Sequence, residues 1–157
     1  MKNVLVSEKE LLEAVKKERE LGKTIVTTNG TFDLIHRGHI SILETAKSQG
    51  DILIVGLNGD KSVKAYKGPD RPINPENERA EILLSLEPVD YVYIFQEPEC
   101  IHFVELVKPD IHVNDASYGE NCIERSAVEA GGGKLFLLDK VETLSTTDII
   151  EKIKNLP

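Results

Sequence analysis

The most distinctive chemical pattern in the chain is a pair of histidines enclosing an arginine and a glycine, His36-Arg37-Gly38-His39. The two imidazoles bracket the predicted start of a helix, whose free N–H groups and dipole favour anions. Both can donate hydrogen bonds to phosphate oxygens while charge builds up in a transition state. Gly38 would let a phosphate approach the backbone without meeting a Cβ. With 4 histidines and 11 glycines in 157 residues, the pattern would arise by chance in roughly one shuffled chain per hundred, so it predicts a phosphate site.

A protein-bound metal is not expected from the spacing of the possible ligands. Asp33 and the two histidines do not complete a tetrahedral zinc site, and no third His or Cys lies at ligand spacing. Cys100 and Cys122 form neither a metal pair nor a disulfide framework, so reduced thiols are expected. His102 and His112 stand alone in the sequence, which favours packing or surface roles for both.

Positive charge is concentrated between residues 61 and 79, on Lys61, Lys64, Lys67, Arg71 and Arg79. This segment follows a predicted strand, so it is expected at the same end of the sheet as the histidines. Lysine point charges and an arginine fork suit a triphosphate and a second phosphate. Three prolines in the same stretch predict a stiff loop that covers the site; the alternative is a solvated surface loop.

Three consecutive hydroxyl residues, Ser145-Thr146-Thr147, open the last predicted helix. Ser145 alone would satisfy an ordinary N-cap. The two threonines beside free N–H groups also suit a phosphate nest, and the two roles are compatible.

Helices and strands alternate along the chain. Helices are predicted over about 7–21, 39–50, 76–86, 99–107, 123–130 and 145–154, and strands over 23–28, 52–55, 91–95, 110–113 and 134–138. This alternation predicts one α/β domain over residues 1–157, with a parallel sheet covered by helices on both faces. Ligands of such sheets bind beyond the carboxyl ends of the strands.

The composition excludes several other classes of protein. A net charge of −8 argues against a dedicated nucleic-acid or anionic-membrane binder. No apolar stretch approaches transmembrane length and the first residues open no secretory signal, so a cytoplasmic location is expected.

Three segments resemble the cytidylyltransferase-like branch of the HxGH nucleotidyltransferases: residues 30–39, residues 67–75 together with Arg79, and residues 144–150. Within that branch the chain is most similar to the D-glycero-β-D-manno-heptose 1-phosphate adenylyltransferases, which occur free-standing or joined to a kinase. The Arg71-Pro72-Ile73-Asn74-Pro75 segment is the most specific element. The resemblance implies a Rossmann-like fold, a Mg²⁺ ion on the nucleoside triphosphate and a homodimer.

The same resemblance implies a role for each matching position. His36 and His39 would stabilise the pentacoordinate phosphorus, with Lys64 and Lys67 as further catalytic residues. Nucleotide and phosphate binding is assigned to Thr28, Asn29, Gly30, Thr31, Phe32, Asp33, Gly38, Arg79, Ser145, Thr146 and Thr147. Binding of the acceptor substrate is predicted for Asn58, Arg71, Asn114 and Asp115, the last two from their place at the end of the fourth predicted strand.

The predicted reaction is attack of a sugar phosphate on the α-phosphorus of ATP or CTP, with release of pyrophosphate. An ionised phosphate oxygen needs no general base, so catalysis would rest on positioning and charge stabilisation. After the fourth predicted strand, where the heptose enzymes carry a Gly-Gly-Asp-Tyr type of segment, the chain reads Val113-Asn114-Asp115-Ala116-Ser117-Tyr118-Gly119. The acceptor and the base therefore stay open: glycerol-3-phosphate cytidylyltransferases and archaeal-type FMN adenylyltransferases share the core. A nucleotide sensor without turnover is the non-enzyme alternative.

Overall fold

The protein is described by a computed structural model that covers residues 4–119 and 122–157. Within these residues the strands are β1 (Val4–Val6), β2 (Ile25–Gly30), β3 (Ile52–Asn58), β4 (Tyr91–Phe95), β5 (Ile111–Asp115) and β6 (Lys134–Leu138). The helices are α1 (Glu8–Glu20), α2 (Arg37–Ser48), α3 (Asp60–Lys67), α4 (Glu76–Leu84), α5 (Ile101–Val107), α6 (Arg125–Ala130) and α7 (Thr146–Lys154). A single 3₁₀ turn, Ala116–Tyr118, follows β5.

The strands form one parallel sheet in the order β1-β4-β3-β2-β5-β6. Side chains of the central strands alternate between two hydrophobic cores. On β3, Ile52 and Ile54 belong to the core that α1, α5 and α6 cover, whereas Leu53, Val55 and Leu57 belong to the core under α2 and α4. A strand buried on both faces must be apolar at every position, which explains the uninterrupted apolar run. The predicted α/β fold with helices on both faces is confirmed.

The order of the strands reverses at β2. From β2 the sheet continues through β3 and β4 on one side, and through β5 and β6 on the other. In open parallel sheets a crevice forms outside the carboxyl ends of the strands at such a reversal, and ligands bind there. The ends of β2 at Gly30 and of β5 at Asp115 therefore fix where a site is expected.

Two elements escaped prediction from the sequence. Strand β1 has only three residues and pairs along the edge of the sheet with β4. Helix α3 lies in the polar stretch that was predicted to be a loop. Its sequence carries a weak helix signal, because only Ser62 and Val63 are buried and Gly59 at its N-cap makes no side-chain hydrogen bond. The lysines of this stretch consequently occupy a helix, and the loop is confined to residues 68–75.

None of the helices in the described residues is both long and apolar enough to span a membrane.

Candidate active site

A cleft of about 580 Å³ opens at the carboxyl ends of β2 and β5. Its walls come from the loop after β2, the last turn of α3, the segment between β5 and α6, and the loop that leads into α7. Predicted site residues that line it are Asn29, Gly30, Thr31, Phe32, Asp33, His36, Gly38, His39, Asn58, Lys67, Asn114, Asp115, Ser145, Thr146 and Thr147. The topology thus brings together segments that are more than 100 residues apart in the sequence.

The two histidines stack on each other at the start of α2. Their ring centroids are 3.8 Å apart and their planes differ by 25°. His36 is the N-cap residue, and its Nδ1 accepts a hydrogen bond of 3.1 Å from the N–H of Gly38. The Nδ1 of His39 accepts in turn from the N–H of His36 at 3.3 Å. A nitrogen that accepts carries no proton, so each neutral ring holds its proton on Nε2 and can offer that N–H to a ligand.

Both imidazoles are held in the neutral form. The pKa of His39 is lowered to about 4, chiefly by burial and further by the nearby charges of His36 and Lys67, with the Leu34 carbonyl opposing. Burial also lowers the pKa of His36, against the attraction of Asp148. At pH 7 each neutral ring keeps Nδ1 as an acceptor for the backbone and leaves Nε2–H to donate to phosphate.

The lowered pKa of His39 predicts a pH dependence of stability. The unfolded state, with a histidine pKa near 6.5, binds a proton more readily than the folded state, so this contribution is present above about pH 6.5 and is lost as the pH falls towards 4. Between pH 7 and pH 5 the loss should be about 2 kcal/mol. His39→Asn keeps an acceptor for the His36 N–H and does not titrate. Urea unfolding at both pH values should therefore show a smaller loss in the variant; equal losses would contradict the assigned pKa.

Gly38 lines the cleft as predicted and also has a steric role inside the protein. A Cβ at this position would lie 3.0 Å from Cε1 of His36 and 3.1 Å from Cγ2 of Thr143. The missing side chain therefore makes room for the imidazole and for the loop before α7.

Phe32, whose φ of 46° lies in the left-handed region, packs its buried ring 5.1 Å from that of His39. Strained backbone of this kind is often found at functional sites.

One of the three predicted lysines reaches the cleft. Lys67 lies in the last turn of α3 and lines the cleft. Burial and the charge of Arg71 lower its pKa, whereas Asp33 has the opposite effect. Lys61 and Lys64 are exposed on the preceding turns and are not among the cleft residues. The structure therefore does not place Lys64 at the predicted catalytic position.

The start of α7 lines the cleft beside the loop that carries the histidines, and Thr146 Oγ1 donates to the Leu34 carbonyl at 3.3 Å. Ser145 and Asp148 form a capping box, in which Ser145 Oγ accepts from the Asp148 N–H at 3.1 Å and Asp148 Oδ2 accepts from the Ser145 N–H at 2.8 Å. Helix geometry leaves the N–H groups of Thr146 and Thr147 without intrahelical acceptors. Ser145 is thus occupied as a cap, while the two threonines present backbone donors to an anion.

Comparison of the chain with known proteins identifies its family. The cytidylyltransferase-like family matches residues 27–152, which include β2, both histidines and α7. This chain belongs to the cytidylyltransferase-like family. It is a nucleotidyltransferase domain, as its resemblance to the HxGH nucleotidyltransferases implied.

The chain is similar to curated proteins named "Bifunctional protein HldE". It is 44% identical over 144 residues to the protein from Syntrophotalea carbinolica, covering 91% of this chain and 29% of the relative. It is 48% identical over 134 residues to that from Campylobacter fetus subsp. fetus, covering 85% and 28% respectively. The chain thus spans less than a third of the length of these relatives.

Two solved structures resemble this domain. A lipopolysaccharide core biosynthesis protein from Thermoplasma volcanium GSS1 superposes with a TM-score of 0.62 at 29% identity, covering 78% of this chain and 100% of that chain. A pantoate-beta-alanine ligase from Francisella tularensis, complexed with beta-gamma ATP and beta-alanine, gives 0.66 at 18% identity, covering 97% and 77%. The second shares the fold.

In this cytidylyltransferase-like domain Arg79 is a structural residue, and the prediction that it binds phosphate is wrong for this structure. Its side chain is completely buried. Four hydrogen bonds of 2.7–2.9 Å occupy the guanidinium, with the carbonyls of Thr31, Asn58 and Asn74 and the carboxylate of Asp60 as acceptors. Arg79 therefore joins, from inside the protein, the loop after β2, the end of β3, the start of α3 and the loop before α4.

Asp33 and Arg71 likewise act on the loop of residues 68–75. Both Asp33 carboxylate oxygens accept backbone hydrogen bonds, from Ile73 at 2.8 Å and from Asn74 at 2.9 Å. The Nε of Arg71 lies 3.4 Å from the same carboxylate. Arg71 is not among the residues that line the cleft. The structure therefore does not support its predicted contact with the acceptor, and Asp33 faces the cleft while its carboxylate fixes the loop.

Thr28 is also displaced from its predicted role. It is fully buried on β2, and its hydroxyl donates to the Val113 carbonyl at 2.9 Å, which ties β2 to β5. Its neighbour Asn29 does line the cleft.

The cleft is lined by three of the four predicted acceptor residues and by several residues that were not predicted. Asn114 and Asp115 end β5, whereas Asn58 ends β3 on the other side of β2. Further residues of the wall are Tyr66, Glu99, Cys100, Tyr118, Glu124, Lys140 and Thr143. Tyr66 hydrogen-bonds to Thr31 through its hydroxyl. Had α3 been predicted from the sequence, Tyr66 would have been expected in the cleft, because it shares the last turn of that helix with Lys67. The remaining wall residues are brought to the cleft by the order of the strands, which the sequence does not show.

Proposed function

We propose that this domain transfers an adenylyl group from ATP to a heptose 1-phosphate and releases pyrophosphate. The observation that carries the proposal is the stacked pair of histidines at a helix start, with both Nδ1 atoms accepting backbone hydrogen bonds. This arrangement fixes two neutral Nε2–H donors in one cleft with Lys67 and the start of α7.

The chemistry assigned to these groups is stabilisation of charge at phosphorus. The acceptor phosphate oxygen attacks the α-phosphorus in line, the bond to the bridging oxygen breaks, and pyrophosphate leaves. Because the attacking oxygen is already ionised at neutral pH, no group has to remove a proton from it. Negative charge grows on the equatorial and leaving oxygens, and preorganised N–H donors then stabilise the transition state more than the ground state.

Lys67 and α7 are proposed to hold the β- and γ-phosphates. Lys67 supplies a positive charge, and the N–H groups of Thr146 and Thr147 supply donors in the same cleft. Helix N-termini bind phosphate in this way because their donors and dipole point at the anion.

A Mg²⁺ ion is proposed to enter with the triphosphate. Mg²⁺ in such sites is coordinated largely by substrate phosphates and water. Asp33, the carboxylate nearest to the histidine motif in sequence, has both oxygens occupied by the loop and fits a ligand role poorly. The ion would therefore be held by phosphate oxygens, and it would offset their charge during transfer.

The choice of adenylyl group and heptose acceptor rests on similarity. The relatives named HldE support it, as do the segments that resemble heptose 1-phosphate adenylyltransferases and the similarity to a lipopolysaccharide core biosynthesis protein. Asn58, Asn114 and Asp115 line the cleft and are proposed to receive the sugar. Amide and carboxylate groups of this kind suit sugar hydroxyls.

The test is a matrix of ATP and CTP against D-glycero-β-D-manno-heptose 1-phosphate, glycerol 3-phosphate and FMN, with pyrophosphate release as the readout. ATP with the heptose should give the highest kcat/KM, and ADP-heptose should form in equal amount to pyrophosphate. The His39→Ala protein, purified identically, measures contaminating activity. Turnover with glycerol 3-phosphate or FMN and none with the heptose would refute the acceptor and leave nucleotidyl transfer intact. No turnover with any pair would favour a nucleotide sensor.

A further inference from the structure

Behind the acceptor end of the cleft lies a buried cluster formed by Cys100, His112 and Glu124. Cys100 precedes α5, His112 lies on β5, and Glu124 precedes α6. One potential ligand atom of each lies within 4.8 Å of those of the other two. Cys100 donates to Glu124 Oε1 at 3.3 Å. The three residues come from separate elements, which is why their spacing in the sequence gave no sign of a metal site.

The ligand set and its dimensions fit zinc. Thiolate, imidazole and carboxylate are the groups that bind Zn²⁺ in proteins, and their bond lengths place tetrahedral ligand atoms about 3.5 Å apart. The Sγ of Cys100 and Oε1 of Glu124 are already 3.3 Å apart, and the ligand atoms of the three residues lie within 4.8 Å of one another, so side-chain rotations would close the cluster around an ion. Soft sulfur together with imidazole favours zinc over magnesium or calcium, which prefer oxygen ligands.

His112 gives an independent indication of a missing ligand. Its side chain is completely buried, and its Nδ1 lies 2.7 Å from the Thr27 hydroxyl. Its Nε2 is buried without a hydrogen-bond partner in the described residues. Buried polar atoms are nearly always satisfied, so an orphaned ring nitrogen beside a thiol and a carboxylate calls for an explanation. A metal ion bound to Nε2, with Thr27 orienting the ring through Nδ1, supplies one.

The charges also balance around a divalent cation. A Cys100 thiolate and the Glu124 carboxylate carry two negative charges, and a neutral imidazole adds none. Zn²⁺ brings the sum to zero, and a neutral assembly is far less costly to bury than unpaired charge. Both Cys100 and Glu124 line the cleft, so the fourth ligand position would face solvent there.

We propose that Cys100, His112 and Glu124 bind a zinc ion, with water from the cleft as the fourth ligand. The ion joins the starts of α5 and α6 to β5. It also fixes Glu124, whose Oε2 accepts from Asn114 Nδ2 at 3.3 Å. Zinc would thereby orient Asn114 at the acceptor end of the cleft. Nothing in this assignment depends on which nucleotide or sugar the domain uses.

The experiment measures metal in the protein, produced in zinc-supplemented medium and purified without a histidine tag. Inductively coupled plasma mass spectrometry should find about one zinc per chain. Cys100→Ser and His112→Gln should each reduce this below about 0.1. His102→Gln, which alters an exposed histidine on the same helix α5, is the matched control and should retain the ion. Zinc that remains in both ligand variants would overturn the proposal.

Cobalt substitution of the folded protein covers the case in which those variants do not fold. Chelator-treated wild type should bind Co²⁺ with tetrahedral d–d bands and a thiolate-to-cobalt charge-transfer band, and adding Zn²⁺ should abolish both and raise Tm. Cys122→Ser removes the only other cysteine in the sequence, and the charge-transfer band should persist there. Its loss in that variant while Co²⁺ remains bound would exclude Cys100 as the sulfur ligand. Less than about 0.1 zinc per wild-type chain without a cobalt spectrum would equally refute the site.

Discussion

His39→Ala is expected to reduce kcat by ~10²–10³, with a much smaller change in nucleotide affinity. The ring sits between His36 and Phe32, and its Nδ1 is engaged by the His36 backbone, so Nε2–H is the group it offers to phosphate. A donor fixed before the reaction stabilises the charge that develops at phosphorus, and its loss therefore appears mainly in kcat. Single-turnover product formation under saturating ATP measures this effect directly.

Two further substitutions separate the hydrogen bond from the packing. His39→Asn keeps an acceptor for the His36 N–H but has no group at the Nε2 position, so it should be as slow as His39→Ala while folding more stably. His39→Gln places an amide N–H nearer to that position and should recover part of the rate. His102→Ala, an exposed histidine on α5, should have wild-type kinetics. A His39→Ala enzyme with more than about half of wild-type kcat would contradict a role at the reacting phosphate.

Much of this fold follows from the sequence because each signal is local. The strand predicted over 52–55 lies within β3, which is buried on both faces, and the helix predicted from about residue 7 is α1, which a Ser7–Glu10 capping box begins. Helix α3 was missed because a short helix with two buried residues carries little periodicity. Tertiary contacts stabilise such a helix, and these are not visible in the segment itself.

The site shows the same division between local and long-range information. The histidine motif carries its own geometry, since each Nδ1 bonds to a backbone group within three residues. The roles of Thr28 and Arg79 depend on segments up to 85 residues away, with Val113 for the first and Thr31 and Asn58 for the second. A charged or hydroxyl side chain near a phosphate motif can bind the ligand or stabilise the fold. Only its burial and its hydrogen-bond partners in the structure distinguish the two roles.

Arg79 lies where the scaffold and the site meet. Its guanidinium bridges the loop after β2, the end of β3 and the start of α3, through Thr31, Asn58 and Asp60 respectively. The Asp60–Arg79 ion pair of 2.8 Å joins a fully buried arginine to a partly exposed carboxylate. The bonds to three carbonyls hold these walls of the cleft at a fixed separation even when no ligand is bound.

Arg79→Ala should consequently destabilise the unliganded protein by about 3–5 kcal/mol, because it leaves buried carbonyls and Asp60 without their partner. At 2–4 °C per kcal/mol for a domain of this size, Tm should fall by roughly 6–20 °C. Arg79→Lys keeps the charge but cannot reach the same acceptors in one plane, so it should not be a mild change. Lys9→Ala, which removes an exposed lysine paired with Glu13, should stay within about 0.5 kcal/mol of wild type. Urea unfolding without nucleotide decides the matter, since an arginine that served only to grip phosphate would leave the stability of the unliganded domain unchanged.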